Sequence, residues 1–341
     1  MSDFSSTYDP GVETGPDDVL ALHRNENLFV GREWTVDAAR ELVERAAISS
    51  YPDAASLPLR EALAELHGVR AEQIFVGNGA DEVLSDLLGV LRRDHDTLHL
   101  LDVRFGVYDL LAERLGFGTA VLPGDTFATG HVDPAGFAGL AVVDSPNAIT
   151  ASSVAHDELT ALASAPGSFL IWDNVYGEYA GDTVPSPLPD NVAFVRSFSK
   201  FYGLAGLRVG YCIAREDLIA DMQARKDVFN VNSFAQVMAR EAVARHAEFV
   251  AARDALVEAR TELVGLLTGL GFVTKPSEAV AVLASHPDHP GKRLQDALLE
   301  RGIAVRRFHG PLTADWIRIT AAPRPARERL ATALESILAA G

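Results

Sequence analysis

The stretch Val195-Arg196-Ser197-Phe198-Ser199-Lys200-Phe201-Tyr202-Gly203-Leu204-Ala205-Gly206-Leu207-Arg208-Val209-Gly210-Tyr211 decides how this chain is read. An apolar run from Asn191 to Val195 leads into it and predicts a buried strand. A glycine-punctuated loop follows, and then a second apolar run from Arg208 to Ala214. Lys200 is one of only four lysines in the chain. The other three stand in ordinary places: Lys226 at a charged helix end, Lys275 before a proline, Lys292 after Pro290-Gly291. Nearly everywhere else the chain uses arginine as its cation. An amine can lose its proton and form a Schiff base, which a guanidinium cannot do. Ser197, Ser199 and Arg208 stand around the lysine. Two hydroxyls and a planar fork of charge make a good clamp for a phosphate. The plainer reading is a solvated loop lysine.

Outward from this stretch, strands and helices alternate. Short strands are expected at 74–76, 97–102, 119–122, 140–144, 168–173, 192–196 and 208–214. Helices are expected at about 36–49, 57–67, 80–93, 106–115 and 155–163. That order predicts an α/β domain with a mostly parallel sheet between helices. The alternation stops near 215. A long helical region follows from Asp217 to Leu270, broken near Asn230-Val231-Asn232. The last part reads as two strands, helix 291–301, strands 303–307 and 315–320, and helix 324–340, a smaller α+β domain. The expected organisation is an N-terminal arm and loop (1–30), a large α/β domain (31–240) and a small C-terminal α+β domain (241–341).

Length and composition agree with a globular enzyme with a large core: 341 residues, 48% hydrophobic and 23% charged. No apolar run approaches the ~20 residues of a membrane span. Residues 1–18 are acidic and polar, unlike a signal peptide. The single cysteine, Cys212, lies in an apolar run and reads as a core residue. A net charge of −17 argues against nonspecific binding to nucleic acid or anionic lipid. It also means that an anionic ligand must be met by local positive charge. The ten histidines form no metal-ligand spacing.

Four further constellations carry chemistry. Gly77-Asn78-Gly79-Ala80-Asp81-Glu82 turns from a strand into a helix start, where free N–H groups attract an anion. Trp172-Asp173-Asn174-Val175-Tyr176 ends a strand with a carboxylate, where open α/β folds bind ligands; a helix cap is the plainer reading of Asp173. Phe105, in Arg104-Phe105-Gly106-Val107-Tyr108, is either core packing or a wall for a flat ligand. Trp316-Ile317-Arg318-Ile319-Thr320 places an arginine in an apolar strand, so it must be paired, face a cleft, or lie at a solvent edge. Arg306 and Arg307 end another strand and read equally well as surface charges or as partners of a second anion.

The lysine stretch closely resembles the motif of fold-type I pyridoxal-phosphate enzymes, the class I and II aminotransferases, and most of all the histidinol-phosphate aminotransferase branch. The resemblance runs over roughly residues 19–340 in motif order. It implies a seven-stranded-type sheet and a homodimer with its site at the interface. It implies pyridoxal phosphate held by Lys200 as a Schiff base, with the Gly79-Ala80-Asp81 turn, Ser197, Ser199 and Arg208 on the phosphate. Phe105 would stack on the pyridine ring, Asp173 would partner its nitrogen, and Tyr176 would donate to its phenolic oxygen. Tyr51, in Ser50-Tyr51-Pro52-Asp53, would reach the phosphate of the neighbouring subunit. Arg318 would grip the substrate carboxylate, with Asn25 on the N-terminal active-site loop and Arg306 nearby. Tyr8 lies upstream on the arm.

The chain also departs from the family pattern. Asn174 replaces a glutamate, and Val103-Arg104 replaces Pro-Thr. In Asp144-Ser145-Pro146-Asn147-Ala148-Ile149-Thr150-Ala151, Ala148 stands where the family has a second asparagine that donates to the phenolic oxygen, and Ile149 stands for a proline. Tyr176 alone, or a shifted Asn147, would then hold that oxygen. The implied reaction is amino transfer between a small-molecule amino donor and a 2-oxo acid in the cytoplasm, with no nucleic-acid or membrane partner. A lyase or decarboxylase resembling the threonine-phosphate decarboxylases stays open because of Ala148. So do a pyridoxal-phosphate-sensing regulator, for which the short acidic N-terminus leaves no DNA-binding domain, and an α/β protein in which Lys200 is incidental.

Overall fold

Seven strands make the main sheet of the protein, whose structure is a computed structural model describing residues 19–43 and 49–339. They are β1 (Ile74–Gly77), β2 (Thr97–Leu100), β3 (Gly118–Val121), β4 (Leu140–Asp144), β5 (Phe169–Asp173), β6 (Val192–Ser197) and β7 (Gly210–Ile213). The spatial order is β1-β7-β6-β5-β4-β2-β3. Every pairing is parallel except those of β7, which runs antiparallel to both β1 and β6. Strands β4, β5 and β6 are buried along their whole length. They can be, because a parallel sheet with helices on both faces asks for continuous apolar runs rather than alternation.

Two cores lie on the two faces. Val143, Trp172 and Phe194 point to one, while Val142, Ile171 and Val195 point to the other, as the period of two along a strand requires. Cys212 belongs to the second core and is a free, buried thiol. At the carboxyl edge of the sheet Asp144 and Asp173 are directly opposite in register, and Ser197 ends the next strand.

A second sheet comprises β8 (Val273–Thr274), β9 (Ala281–Ser285), β10 (Arg306–Arg307) and β11 (Ile317–Thr320), all antiparallel, in the order β8-β9-β11-β10. The single strand expected at 303–307 is in fact two. Ile303–Ala304 pairs in parallel with Leu20–Ala21, and the chain then changes partners at Val305 so that Arg306 faces Arg318 across the ladder. The N-terminal loop is therefore tied to the second sheet. A third core joins these strands to the helices Gly291–Leu299 and Arg324–Ala339.

The helical region divides as Glu216–Arg225, Ser233–Ala244 and His246–Gly269. The first break falls at the predicted asparagines, where the Asn232 side chain accepts from Ala235 N–H and caps the next helix. The second break, at Arg245, was not expected. A small hairpin was not expected either: Gly124–Asp125 pairs with His131–Val132 around a short helical turn. The first helix runs from Arg32 to Val43 in its described part. Residues 44–48 and the arm with Tyr8 lie outside the described residues. Among the described residues no helix is long and apolar enough to cross a membrane, and no group of three or more His, Cys, Asp or Glu side chains is placed to hold a metal ion.

Candidate active site

A cleft of about 870 Å³ opens at the carboxyl edge of the main sheet, between it and the second sheet. Strand ends, helix starts and connecting loops converge there, as open α/β sheets require of a binding crevice. Most of the residues singled out in the sequence line this one cleft: Asn25, Ala80, Asp81, Phe105, Asp173 and Tyr176, together with Ser197, Ser199, Lys200, Arg208, Arg306 and Arg318.

Lys200 follows the turn after β6 and is half-buried. Its Nζ lies 3.5 Å from the Arg24 carbonyl oxygen and 5.5 Å from the centre of the Tyr176 ring. On one side of it, Arg208 donates to Asp81 Oδ2 at 2.9 Å and to Ser199 Oγ at 3.4 Å. The Arg208–Asp81 pair is about half exposed on both sides and so holds the guanidinium only loosely. Ser197 Oγ accepts from Ser199 N–H and shapes the loop. Gly79 has φ +84°, and a Cβ there would lie 2.5 Å from Arg208 Nη2. Glycine is therefore required at the start of helix Ala80–Leu91, both for its backbone and for the close approach of the guanidinium. The N–H groups of the first helical turn have no partners within the helix and add to the positive end.

Asp173 forms the floor. It is 5% exposed, accepts from the Tyr108 hydroxyl at 2.7 Å and from Val175 N–H at 3.2 Å, and has no paired cation among the described residues. Burial pushes its carboxyl up to about 6, against the pull of those two donors. Asp144 beside it is also buried and is pushed well above the usual carboxylate range, again mainly by burial. One of its oxygens accepts from Ala148 N–H at 3.1 Å, and backbone N–H groups of Asp144 and Phe105 also pull toward the charged form. Two buried carboxyls with no paired cation among the described residues are a place for a cationic ring N–H.

Tyr108 and Asp144 were missed in the sequence. Tyr108 sits three residues after Phe105 and meets it edge-on at 5.8 Å, so helical spacing within the same motif was the available signal. Asp144 carries the same signal as Asp173, a carboxylate at a strand's carboxyl end.

The opposite wall comes from far along the chain. Arg318 is 8% exposed; it donates to the Ala148 carbonyl and, at 2.9 Å, to the His23 carbonyl. Its guanidinium also lies 5.2 Å from the Phe308 ring centre, and that of Arg306 lies 5.6 Å from the same ring. Asn25 is buried with φ 55°, donates from its side chain to the Tyr176 hydroxyl at 3.0 Å, and is pinned by its own N–H to Thr320 Oγ1 at 3.2 Å. Arg104 does add charge to the cleft wall, but it is held in a bidentate pair by Asp109 at 3.0 and 2.7 Å.

Three expected residues do not line the cleft of this chain: Gly79 stands behind its rim against Arg208, and Asn147 and Tyr51 lie apart from it. Asn147 accepts at its side-chain oxygen from the N–H groups of Ile149 and Thr150 in its own turn and donates to Val103 O on the neighbouring loop. It is buried among these bonds and does not line the cleft. Tyr51 is 84% exposed and stacks on Phe229 with ring centres 4.7 Å apart.

Comparison with known proteins supplies the family. The family model described as aminotransferase class I and II matches residues 17–337. The chain is 33% identical over 340 residues to histidinol-phosphate aminotransferase 2 of Rhizobium meliloti, covering 97% of this chain and 96% of that protein. It is also 33% identical to histidinol-phosphate aminotransferase of Gluconacetobacter diazotrophicus, over 97% and 95% of the two chains. Among solved structures, aspartate aminotransferase from Thermus thermophilus with maleate superposes with a TM-score of 0.79 at 26% identity, over 94% of this chain and 91% of that one. Histidinol-phosphate aminotransferase from Sinorhizobium meliloti in complex with pyridoxal-5'-phosphate shares the fold with a TM-score of 0.82, at 21% identity and 99% coverage of both.

Proposed function

Because the chain belongs to the class I and II aminotransferases, we propose that it moves an amino group between a histidinol-phosphate-like or aromatic-like amino donor and a 2-oxo acid. The observation that carries this is the meeting, in one cleft, of a half-buried amine at Lys200 and a buried carboxyl without a cation at Asp173. Pyridoxal phosphate fits that pair. Asp173 offers its carboxylate to a ring N–H, Phe105 walls the cleft, and Arg208, Ser199 and the helix start at Ala80 offer donors to a phosphate. When bound, the cofactor supplies a carbonyl for Schiff-base chemistry and a ring that takes up electrons.

The chain's own residues do the rest. Lys200 Nζ would hold the cofactor through its carbonyl group, and as an amine in the cleft it is placed to hold or move a proton at the substrate Cα. Asp173 would hold the proton on the ring nitrogen. Tyr176 donates from its hydroxyl into the cleft. Arg318 takes the substrate carboxylate with its fork of N–H groups, and Arg306 faces a second anionic group.

A homodimer completes this reading. Tyr51, Phe229 and Val228 are all exposed, at 84%, 45% and 65%, and form an apolar set that a second copy would cover. There Tyr51 would reach the phosphate in the partner's cleft. We also read 31–240 and 241–341 as two domains, supported by the gap between the last strand of the main sheet at Ile213 and the first of the second sheet at Val273. A place in the cytoplasm rests on the family reading alone.

Borohydride reduction of the purified protein with pyridoxal phosphate, followed by peptide mapping, tests the assignment. The modified peptide should contain Lys200, and Lys200→Ala should lose the linkage and turnover by about 10³-fold or more while keeping its far-ultraviolet spectrum. A modified peptide containing Lys226, Lys275 or Lys292 overturns the assignment. Incubation with donor alone should release one equivalent of carbonyl product per site. Release of carbon dioxide instead would make the protein a decarboxylase.

A further inference from the structure

The wall built from the N-terminal loop does more than close the cleft. Asn25 donates its side-chain amide to two oxygens at once, the Tyr176 hydroxyl at 3.0 Å and the Ala148 carbonyl at 3.3 Å. The Ala148 carbonyl can only accept, which fixes which way round the amide stands: turning it over would set oxygen against oxygen. The Tyr176 oxygen must therefore accept from Asn25, and its own proton points elsewhere. Among the described residues no acceptor takes that proton. It is left for the cleft, into which Tyr176 projects.

The cost of this arrangement is visible in the backbone. Asn25 is one of four described non-glycine residues with positive φ, at 55°, and it is 3% exposed. Its Oδ1 is buried and has no partner among the described residues. Left-handed backbone is disfavoured for residues with a Cβ, although asparagine tolerates it best, and an orphaned buried acceptor costs more still. The conformation persists because it is held from several sides. Asn25 N–H donates to Thr320 Oγ1, Thr320 N–H donates to the Leu22 carbonyl, and Arg318 donates to the His23 carbonyl. The strand that carries Arg318 and the loop that carries Asn25 thus form one unit.

We propose that Asn25 is a positioning residue that turns the Tyr176 hydroxyl into a fixed donor toward the bound cofactor's ring oxygen, taking over the task of the amide side chain absent at Ala148. This rests on the pyridoxal-phosphate reading above. It differs from a substrate-binding role, because Asn25 acts through Tyr176. A hydroxyl that already accepts one hydrogen bond is the stronger donor in the next. Through the Thr320 and His23 contacts, the same unit joins the carboxylate grip of Arg318 to the ring of the cofactor.

The test is a spectral pH titration of the holoenzyme, read at the visible band of bound pyridoxal phosphate. The titratable groups facing Tyr176 are Lys200 above its ring and Tyr108 and Tyr179 to its sides. They are the same in every variant compared. A donor to the ring oxygen stabilises its negative charge and lets the neighbouring nitrogen proton leave more easily. Asn25→Ala should therefore raise the midpoint, by on the order of half a pH unit. In a Tyr176→Phe background Asn25→Ala should change nothing further, because the group it acts through is gone. Asn25→Asp, of the same size, accepts from Tyr176 instead of donating and should raise the midpoint more than Asn25→Ala. The part of its shift that survives in Tyr176→Phe reports the added charge.

An unmoved midpoint in Asn25→Ala, or a shift that is the same with and without the Tyr176 hydroxyl, overturns the inference. Loss of the cofactor from both Asn25 variants overturns it too, by making Asn25 a residue that merely holds the site together. A wild-type protein with no visible band would instead sink the pyridoxal-phosphate reading itself, so the two failures are distinct.

Discussion

The two walls of the cleft are made in different ways. Asp173, Tyr176, Ser199, Lys200 and Arg208 all come from the carboxyl edge of one sheet, within about forty residues of sequence. Their positions are set by the two buried strands β5 and β6 and the turns that follow them. The facing wall joins residues 295 apart, through Asn25 N–H to Thr320 and Arg318 to the His23 carbonyl. The first wall is rigid because it hangs from a buried sheet. The second depends on hydrogen bonds between a loop and a smaller sheet, and it meets the first where the Asn25 amide donates to the Tyr176 hydroxyl. Each prediction below strikes one wall and asks whether the other notices.

The largest effect is expected from Arg318→Ala. It removes two charge-assisted donors from a residue that is 8% exposed. For a substrate with a free carboxylate the loss should be about 2–4 kcal/mol, roughly thirtyfold to several hundredfold in KM. The visible spectrum of the bound cofactor should shift only as far as the loop that carries Asn25 is released. Unchanged kinetics would show that the carboxylate is held elsewhere.

This contrast also explains what was legible in the sequence. The main sheet could be read because β4, β5 and β6 are continuous apolar runs bounded by turn residues, and β4 was placed to the residue. The lysine loop could be read because its chemistry is local. The partner change at Val305 and the hairpin at 124–132 depend on contacts with distant segments, which hydrophobic periodicity does not encode. Asn147 was misplaced for a related reason. A residue type fit to bind a ligand was recruited by its own turn, and only the hydrogen-bond count in the folded chain reveals that. Tyr51 is an instructive case of the opposite kind. It is exposed in this chain, and only the proposed dimer would give it a place at a cleft.

The next effect concerns the rigid wall and is a matter of stability. Asp173 has a folded-state carboxyl pushed up to about 6 from 3.8. A group with a raised pKa binds its proton more tightly when folded. The stability this contributes is fully present below the unfolded value and is lost as pH rises through the folded one. The cofactor-free wild type should therefore weaken relative to cofactor-free Asp173→Asn between pH 4 and pH 7, by about 2 kcal/mol for a shift of about two units. Urea unfolding of both proteins at the two pH values measures the difference. Saturating pyridoxal phosphate should restore the wild type and not the variant, because only a carboxylate pairs with the ring N–H. A pH-independent difference between the two proteins would mean that Asp173 is not buried as a neutral acid.

The smallest effect, and the most exact probe of the rigid wall, is Tyr108→Phe. The Tyr108 ring is fully buried and its hydroxyl reaches Asp173 at 2.7 Å. Removing the hydroxyl leaves the packing in place and takes away the side-chain donor that holds the Asp173 carboxyl down. Asp173 should then titrate at a higher pH. Cofactor binding needs the carboxylate, so affinity should fall first on the acidic side. At pH 6 the dissociation constant for pyridoxal phosphate should rise by about tenfold, the equivalent of ~1.4 kcal/mol, while at pH 8 it should change little. Arg318 and Asn25 lie on the other wall, so KM for the carboxylate substrate at pH 8 should stay within about twofold of the wild type. Fluorescence titration of the cofactor-free protein at both pH values reads the first quantity, and steady-state kinetics reads the second. An equal loss of affinity at pH 6 and pH 8 would show that the hydroxyl supports the shape of the floor and not the charge on Asp173. A matching rise in KM at pH 8 would show that the floor at Asp173 reaches the Arg318 wall by more than the Asn25–Tyr176 contact, and would move the boundary between the walls to the segment that carries Phe105 and Tyr108.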